Sequence, residues 1–249
     1  MGASHRVSFD RIADRYDETR SLPASQMEAV LEALIRALSS YDRVLEVGVG
    51  TGRFGVPLQQ RGIPLIGVDI APRMIEQGRR KGLQDVLLGD ALSLPFADGT
   101  FDAALSVHVL HLLPDWQAAL AEFGRVTRDS YFTVATNWKE GWLPYRAYWD
   151  FLRDAGYERR RKGVFERELP EHLPPREQTN IGTFLEEQGA QDVLQSLENR
   201  VYSGQWETPE DLHRRAVEAV RKEFAGQGTM RREKTITLLR WDARDLRSR

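Results

Sequence analysis

The sequence contains no cysteine, and this absence excludes several kinds of chemistry at once. Disulfide bonds, thiolate metal sites and catalysis by a thiol nucleophile all require a cysteine side chain. Histidine is also sparse, with five residues scattered along the 249 positions of the chain. The sequence therefore predicts no metal centre.

The chain also lacks an excess of basic charge and lacks long apolar runs. Lys and Arg number 35 against 37 Asp and Glu, a formal net charge of -2, which is not typical of proteins that bind nucleic acids or anionic membranes. No apolar stretch is long enough to cross a bilayer, and the first residues, MGASHRVSFDR, lack the apolar core of a signal peptide. We expect a cytoplasmic protein with a small-molecule partner, and no nucleic-acid or membrane partner; the oligomeric state stays open.

Apolar runs of strand length alternate with segments of helical length in the first 136 residues. The runs are RVLEVG (43–48), PLIGVDI (64–70), DVLLGD (85–90), FDAALSV (101–107) and SYFTVAT (130–136). Continuous apolar character predicts strands covered on both faces, and the helix-length spacers predict right-handed βαβ units. The fold class is therefore α/β, with a doubly wound, mostly parallel Rossmann-like sheet.

The pattern changes after residue 136. Near the end, KTITLLRW (234–241) alternates polar and apolar residues, as an antiparallel C-terminal edge strand does. Helical segments precede it, and no convincing sixth strand is found between FLEEQGAQ and DVLQSLENRVYS. We predict a single domain over 1–249, with N-terminal lid helices in 1–40 and a helical cap, the substrate elaboration, in 138–230.

Three glycines at alternate positions follow the first strand, in GVGTG (48–52). A glycine-rich turn between a parallel strand and its helix lies where open α/β sheets bind ligands. The dinucleotide pattern is G-x-G-x-x-G, so this spacing disfavours a nicotinamide cofactor. Asp69 ends the second strand, where a carboxylate can accept hydrogen bonds from both hydroxyls of a ribose. Asp90 closes the third strand and can accept a bond from an adenine amino group, so the ligand is expected to contain a nucleoside.

Four segments in this order resemble the motifs of class I S-adenosylmethionine-dependent methyltransferases. They are VLEVGVGTG, GVDIAPRMIEQGRRK, GDALSLPFADGTFDAALSVHVLHLLPD and ALAEFGRVT. The resemblance is to the small-molecule group of methyltransferase type 11, which includes the quinone-biosynthesis enzymes. It is close from Phe9 to about Val126 and weak beyond, and it implies S-adenosylmethionine as cofactor and S-adenosylhomocysteine as product.

The resemblance also implies roles for the residues at matching positions. The glycine loop would lie against the methionine part of the cofactor, with Glu46 facing its ammonium group. Asp69 would hold the ribose and Asp90 the adenine amino group, and an early lid would close over the methionine carboxylate. The candidate cofactor-binding residues are Tyr16, Arg20, Glu46, Gly48, Gly50, Gly52, Asp69, Ile70, Met74, Asp90, Ala91, Leu92, Ser106 and His108.

Two histidines, His108 and His111, follow the fourth strand at the expected mouth of the cofactor site. A methyl group on a sulfonium is already activated, so a protein needs to align the acceptor and, where the acceptor must lose a proton, supply a base. The pKa of an ordinary histidine suits that task, and His111 is the candidate base. The plainer alternative is that it packs against or caps the following helix. The aromatic residues of 138–149 have helical spacing, which fits either a buried helix face or a pocket wall.

Two absences from the sequence reduce the number of possible methyl acceptors. After SVHVLH there is no asparagine-proline-proline-aromatic tetrapeptide, which disfavours methylation of adenine or glutamine amino groups, and a thiolate mechanism is excluded. The remaining acceptors are oxygen, nitrogen or carbon nucleophiles of small molecules. We expect the methyl group to be transferred to them by in-line displacement. The alternatives are a catalytically silent S-adenosylmethionine-binding sensor or subunit and, disfavoured by the loop spacing, a nicotinamide-dependent oxidoreductase.

Overall fold

The computed structural model of the chain describes residues 9–17, 22–140, 142–158 and 162–247. These residues divide into two compact units. The described residues of 1–136, 161–182 and 236–249 form the first unit, and those of 137–160 and 183–235 form the second. No helix in the described ranges has the length and apolar character needed to cross a membrane.

Seven strands of the described chain form one sheet in the order β3-β2-β1-β4-β5-β7-β6. Their bounds are β1 Val44–Val47, β2 Leu65–Asp69, β3 Val86–Leu88, β4 Phe101–Ser106, β5 Thr127–Trp138, β6 Glu177–Gly189 and β7 Thr229–Asp242. Strand β1 pairs in parallel with β2 and β4, and the parallel ladder continues to β3 on one side and β5 on the other. The sheet is mixed, with an antiparallel edge, so the predicted fold class is confirmed.

Helices connect several of the parallel strands, as the βαβ pattern predicts. Their bounds are α1 Ala24–Leu38, α2 Gly55–Gln60, α3 Pro72–Arg80, α4 Trp116–Val126, α5 Leu143–Asp154, α6 Leu169–His172, α7 Ala190–Glu198, α8 Glu210–Glu223 and α9 Ala243–Leu246. Short 3₁₀ helices span Asp10–Arg15, Leu110–Leu112 and Ser203–Gln205. Pro72 begins α3, where its missing N–H costs least, and Asp115 caps α4 by accepting the Ala118 amide at 3.2 Å.

The core of the first unit forms on both faces of the parallel strands. All four residues of β1 are buried, as continuous apolar strands require. The main cluster joins β1, β4 and α4 to Tyr131 of β5 and Trp241 of β7. Trp241 is fully buried, and its indole N–H donates to the Leu173 carbonyl at 2.9 Å. These contacts make the sheet a rigid base for the loops at its edge.

The second unit has its own core, built from α5, α7 and α8. Its buried residues are Tyr148, Leu152, Leu194, Leu197, Ala216, Val217, Val220 and Phe224. Tyr148 and His213 share a hydrogen bond of 2.8 Å inside this cluster. The aromatic spacing of 138–149 therefore produces a helix with one buried face, the first of the two interpretations above.

Strand β6 is the element that the sequence pattern does not reveal. It runs through FLEEQG, inside the stretch 138–230 that is expected to be helical, and pairs beside β7. Strand β7 is also longer than KTITLLRW, because it begins at Thr229. The antiparallel edge thus contains two strands, and the predicted cap is helical only in part.

Candidate active site

A cavity of about 310 Å³ lies in the first unit, at the carboxyl edge of its parallel strands. The strand register explains the position: Val47 of β1 pairs with Val68 of β2 and with Ser106 of β4. The strand ends are therefore level, and the loops that follow them meet at one edge. Open α/β sheets bind their ligands at this edge.

The glycine loop forms one wall of the cavity through Gly48 and Gly50. Both have left-handed backbones, with φ of 74° and 55°, which disfavour side chains. A Cβ atom on Gly48 would lie 2.3 Å from the Cγ2 atom of Val109, and one on Gly50 would lie 3.2 Å from the Met74 methyl group. The loop therefore keeps its backbone open toward the cavity.

Gly52, the third glycine of the motif, packs against side chains instead of lining the cavity that the described residues form. A Cβ atom there would lie 2.7 Å from Cγ2 of Val56 and 3.4 Å from Leu83. Gly52 does not line the cavity that the described residues form. The structure thus gives this glycine a packing role, which allows α2 to approach the loop closely.

Asp69 lines the cavity and also holds its walls in place. One carboxylate oxygen accepts the Gly50 amide at 2.8 Å, and the other accepts the Ala71 amide at 2.8 Å. Burial raises the pKa of the Asp69 carboxyl, and the bonds from these amides act in the opposite direction. A carboxylate has about four acceptor positions, so lone pairs are left for the hydroxyls of a ribose.

The neighbouring wall carries five of the residues that were expected to bind the cofactor. Ile70, Met74, Asp90, Ala91 and Leu92 all line the cavity. Met74 is buried, whereas Ile70 is partly exposed at the mouth. One oxygen of Asp90 accepts the Leu92 amide at 3.1 Å. An apolar slot that also contains a carboxylate suits a purine ring with an amino group.

The segment Phe9–Asp17, called the lid segment because it belongs to the predicted lid, contributes to the wall of the same cavity. Tyr16 and Phe9 line it, with their rings edge to face at 5.6 Å. Asp17 accepts the Thr51 hydroxyl of the glycine loop at 2.7 Å and pairs with Lys81 at 2.6 Å. Arg20, the second lid residue expected from the sequence, lies outside the described residues.

His108 and His111 occupy different positions relative to the cavity. His108 lines it and has a left-handed backbone with φ of 60°. His111 is absent from the lining given by the described residues; its ring stacks on Phe165 at 5.2 Å, and its Nδ1 atom lies 3.9 Å from Oε1 of Glu166. The histidine at the cavity wall is therefore His108, and the candidate base His111 lies behind it.

Ser106 and Glu46 are likewise outside the cavity lining in the described part of the chain. The Ser106 hydroxyl is fully buried and shares a hydrogen bond of 2.7 Å with the Tyr131 hydroxyl. Glu46 is buried in β1, and its Oε2 atom has no hydrogen-bond partner among the described residues. Burial raises the pKa of Glu46 to about 8, so the side chain is protonated at neutral pH.

Sequence reasoning missed two groups of residues near the site. Val109, Leu112, Leu113 and Pro114 line the cavity directly after the fourth strand, and their place in HVLHLLP is a signal that could have found them. Glu166 is buried beside the histidines, but it sits in a charged stretch that resembles solvated surface. No local pattern marks it.

The comparisons with known proteins agree with this geometry. The family described as "Methyltransferase domain" matches residues 45–132, from β1 into β5. Residues 45–132 are therefore similar to a methyltransferase domain, and together with the motif order this match supports a class I S-adenosylmethionine-dependent methyltransferase.

Curated relatives of the chain include demethylmenaquinone methyltransferases. The protein of Beutenbergia cavernae is 32% identical over 148 residues, covering 57% of this chain and 62% of the relative. That of Thermobifida fusca is 38% identical over 130 residues, covering 48% and 55%. This chain thus spans about three fifths or less of the length of these relatives.

A solved structure shows that the similarity extends to the fold. A SAM-dependent methyltransferase of Thermotoga maritima has a TM-score of 0.51 and 20% identity, covering 93% of this chain and 97% of the other. That neighbour is named for its dependence on SAM, S-adenosylmethionine, the cofactor that the motifs of this chain also predict. The residues present fit it, because Asp69 has acceptor positions left toward the cavity and the left-handed glycines leave the loop backbone open.

Proposed function

We propose that the chain is a methyltransferase that transfers the methyl group of S-adenosylmethionine to an oxygen, nitrogen or carbon nucleophile of a small molecule by in-line displacement. The observation that carries this proposal is the convergence of Gly48, Gly50, Asp69 and Asp90 on one cavity at the sheet edge. When bound, the cofactor supplies an electrophilic methyl group on a positively charged sulfur.

Each wall of the cavity has a distinct task in this proposal. Asp69 holds the ribose, Asp90 and the slot around Met74 hold the adenine, and the glycine loop leaves room for the methionine part. Tyr16 of the lid segment excludes water from above. Holding two reactants in contact and in line can lower a barrier by roughly 7–11 kcal/mol, which makes alignment the main contribution of the chain.

The apolar turn after β4 supports a small organic acceptor. Val109, Leu112 and Leu113 line the cavity beside His108, so an apolar or planar molecule can lie there with its reacting atom near a histidine. Where the acceptor must lose a proton, one histidine of the pair, His108 or His111, accepts it and then releases it to water. The curated relatives are named for demethylmenaquinone, and this quinone is the first acceptor to assay.

Calorimetry and a turnover assay test the proposal in sequence. We expect S-adenosylhomocysteine to bind and NADH not to bind; the reverse would overturn the cofactor assignment in favour of an oxidoreductase. Transfer of a radiolabelled methyl group to demethylmenaquinone or to a member of a metabolite panel is expected next. Binding without turnover of any acceptor would favour the alternative of a catalytically silent sensor or subunit.

A further inference from the structure

A buried glutamate without an assigned role lies behind the histidine pair. Glu166 is only 4% exposed, although it belongs to the charged stretch before α6. Burying a carboxylate is costly unless hydrogen bonds or charges compensate for the lost water. The hydrogen-bond and charge partners of Glu166 therefore indicate its role.

Both partners of Glu166 belong to the turn after β4. Its Oε1 atom accepts the Val109 amide at 2.9 Å, and the same atom lies 3.9 Å from Nδ1 of His111. That nitrogen is buried and has no hydrogen-bond partner among the described residues. Catalytic hydrogen bonds are often long before a ligand binds and shorten in the complex, so a distance of 3.9 Å is compatible with a contact that closes later.

The groups around Glu166 favour the charged form of its carboxyl. Burial alone would raise the pKa of this carboxyl, but the nearby His111 and His108 rings outweigh burial and hold the pKa below its usual range. On the other side, the Tyr131 hydroxyl of β5 has its pKa raised by burial and further by the charge of Glu166. The Arg167 guanidinium lies over the Phe165 ring at 4.2 Å from its centroid.

The turn that Glu166 contacts is strained and closely packed. His108 has φ of 60°, a conformation that non-glycine residues adopt rarely and often at functional sites. The amide that Glu166 binds belongs to the next residue, Val109. Gly163 presses the same segment onto the turn, because a Cβ atom there would lie 2.0 Å from the Leu110 carbonyl oxygen and 2.5 Å from that of Leu113.

We propose that Glu166 is a positioning residue for methyl transfer: it holds the turn that presents His108 to the cavity, and it orients the His111 ring through Nδ1. With Nδ1 of His111 carrying its proton toward Glu166, Nε2 is left as the basic nitrogen of that ring. This inference rests on the proposed function, because it assigns the histidine pair to the reaction.

The tautomer of His111 tests the inference directly. Protein labelled with ¹⁵N-histidine is studied by long-range ¹H–¹⁵N NMR at about pH 8, where ordinary histidines are neutral. The His111 signals are assigned by their loss in His111→Asn. We expect the Nδ1–H form in the wild-type protein, a shift toward the Nε2–H form in Glu166→Gln, and the wild-type pattern in Glu171→Gln, which makes the same change at an exposed position.

Two results would overturn the inference: the Nε2–H form in the wild-type protein, or an unchanged tautomer in a folded Glu166→Gln. Should that variant fail to fold, the tautomer measured in the wild-type protein decides alone.

Calorimetry with S-adenosylhomocysteine is a separate measurement on the same proteins. Glu166→Gln is expected to bind within about threefold of the wild type, since Glu166 does not line the cavity that the described residues form. A wild-type protein that fails to bind would count against the proposed function and leave the tautomer result standing.

Discussion

Asp69 is the residue whose position contributes to both the cavity and the fold. Its oxygens hold the amides of Gly50 and Ala71 and still face the cavity. A change at Asp69 should therefore affect both binding and stability, because the glycine loop loses the acceptor that fixes it.

Asp69→Ala is expected to weaken S-adenosylhomocysteine binding more than tenfold, because hydrogen bonds to a charged group contribute roughly 1.5–3 kcal/mol each. Leaving the two amides without an acceptor should also lower the free energy of unfolding by about 1–3 kcal/mol. Calorimetry and urea titration measure the two effects. Asp42→Ala, an exposed aspartate before β1, is the control and should change neither. Normal affinity in Asp69→Ala would contradict the ribose assignment.

Glu46 makes the stability of the protein depend on pH in an unusual direction. Its pKa is raised by burial to about 8, so between about pH 4.5 and 8 the folded chain keeps a proton that the unfolded chain releases. The unfolded state then binds fewer protons, and stability falls as pH rises through this window. The full effect is on the order of 5 kcal/mol at about 1.4 kcal/mol per pH unit.

Glu46→Gln is expected to remove most of this dependence, because an amide of the same shape has no proton to lose. Guanidinium unfolding at pH 5, 7 and 9 measures it: the variant should gain stability over the wild type as pH rises. Glu28→Gln, which alters an exposed partner of Arg61, should keep the wild-type pH dependence. A steep fall with pH in Glu46→Gln would mean that another group is responsible.

At the scale of elements, aspartate side chains connect the lid segment to α3 and to the glycine loop. Asp14 pairs with Arg73 and accepts from Gln77, and Asp17 reaches Thr51 and Lys81. The partners on α3 and just beyond it are four residues apart, so they face one side of the helix. These pairs are half exposed, and each contributes little to global stability.

Asp17→Asn should therefore release the lid segment without unfolding the protein. We expect S-adenosylhomocysteine to dissociate faster, while the free energy of unfolding changes by less than about 1 kcal/mol. Stopped-flow fluorescence gives the dissociation rate. Asp211→Asn, which breaks an exposed ion pair with Arg214 on α8, is the matched control. An unchanged rate in Asp17→Asn would show that this contact does not retain the ligand.

The elements also show which parts of the structure could be predicted. The strand-turn-helix pattern is local, so the glycine loop, Asp69 and Asp90 were placed from sequence alone. Strand β6 was missed because FLEEQG consists largely of good helix formers, and its pairing with distant β7 overrides that preference. Glu166 was missed because it too depends on a partner that is distant in the sequence: the Val109 amide that it binds is 57 residues away.

At the scale of the whole molecule, ligand binding is expected to appear as thermal stabilisation. A ligand at 100 times its dissociation constant stabilises the folded state by about 2.7 kcal/mol. For a chain of this size that corresponds to a rise in melting temperature of roughly 5–10 °C. Scanning calorimetry with S-adenosylhomocysteine measures the rise, and the Asp69→Ala protein at the same ligand concentration should show a smaller one. No rise in the wild-type protein would contradict cofactor binding.

The long separation between Val109 and Glu166 has a consequence during synthesis. The turn after β4 leaves the ribosome 57 residues before the carboxylate that braces it, and at about 5–20 residues per second this interval lasts roughly 3–11 s. By the end of that time the nascent chain contains the strands of the parallel sheet and most of the cavity walls. A chain released before Glu166 is made would have the cavity's glycine loop and Asp69, yet its Val109 amide and the strained His108 turn would be left without their acceptor.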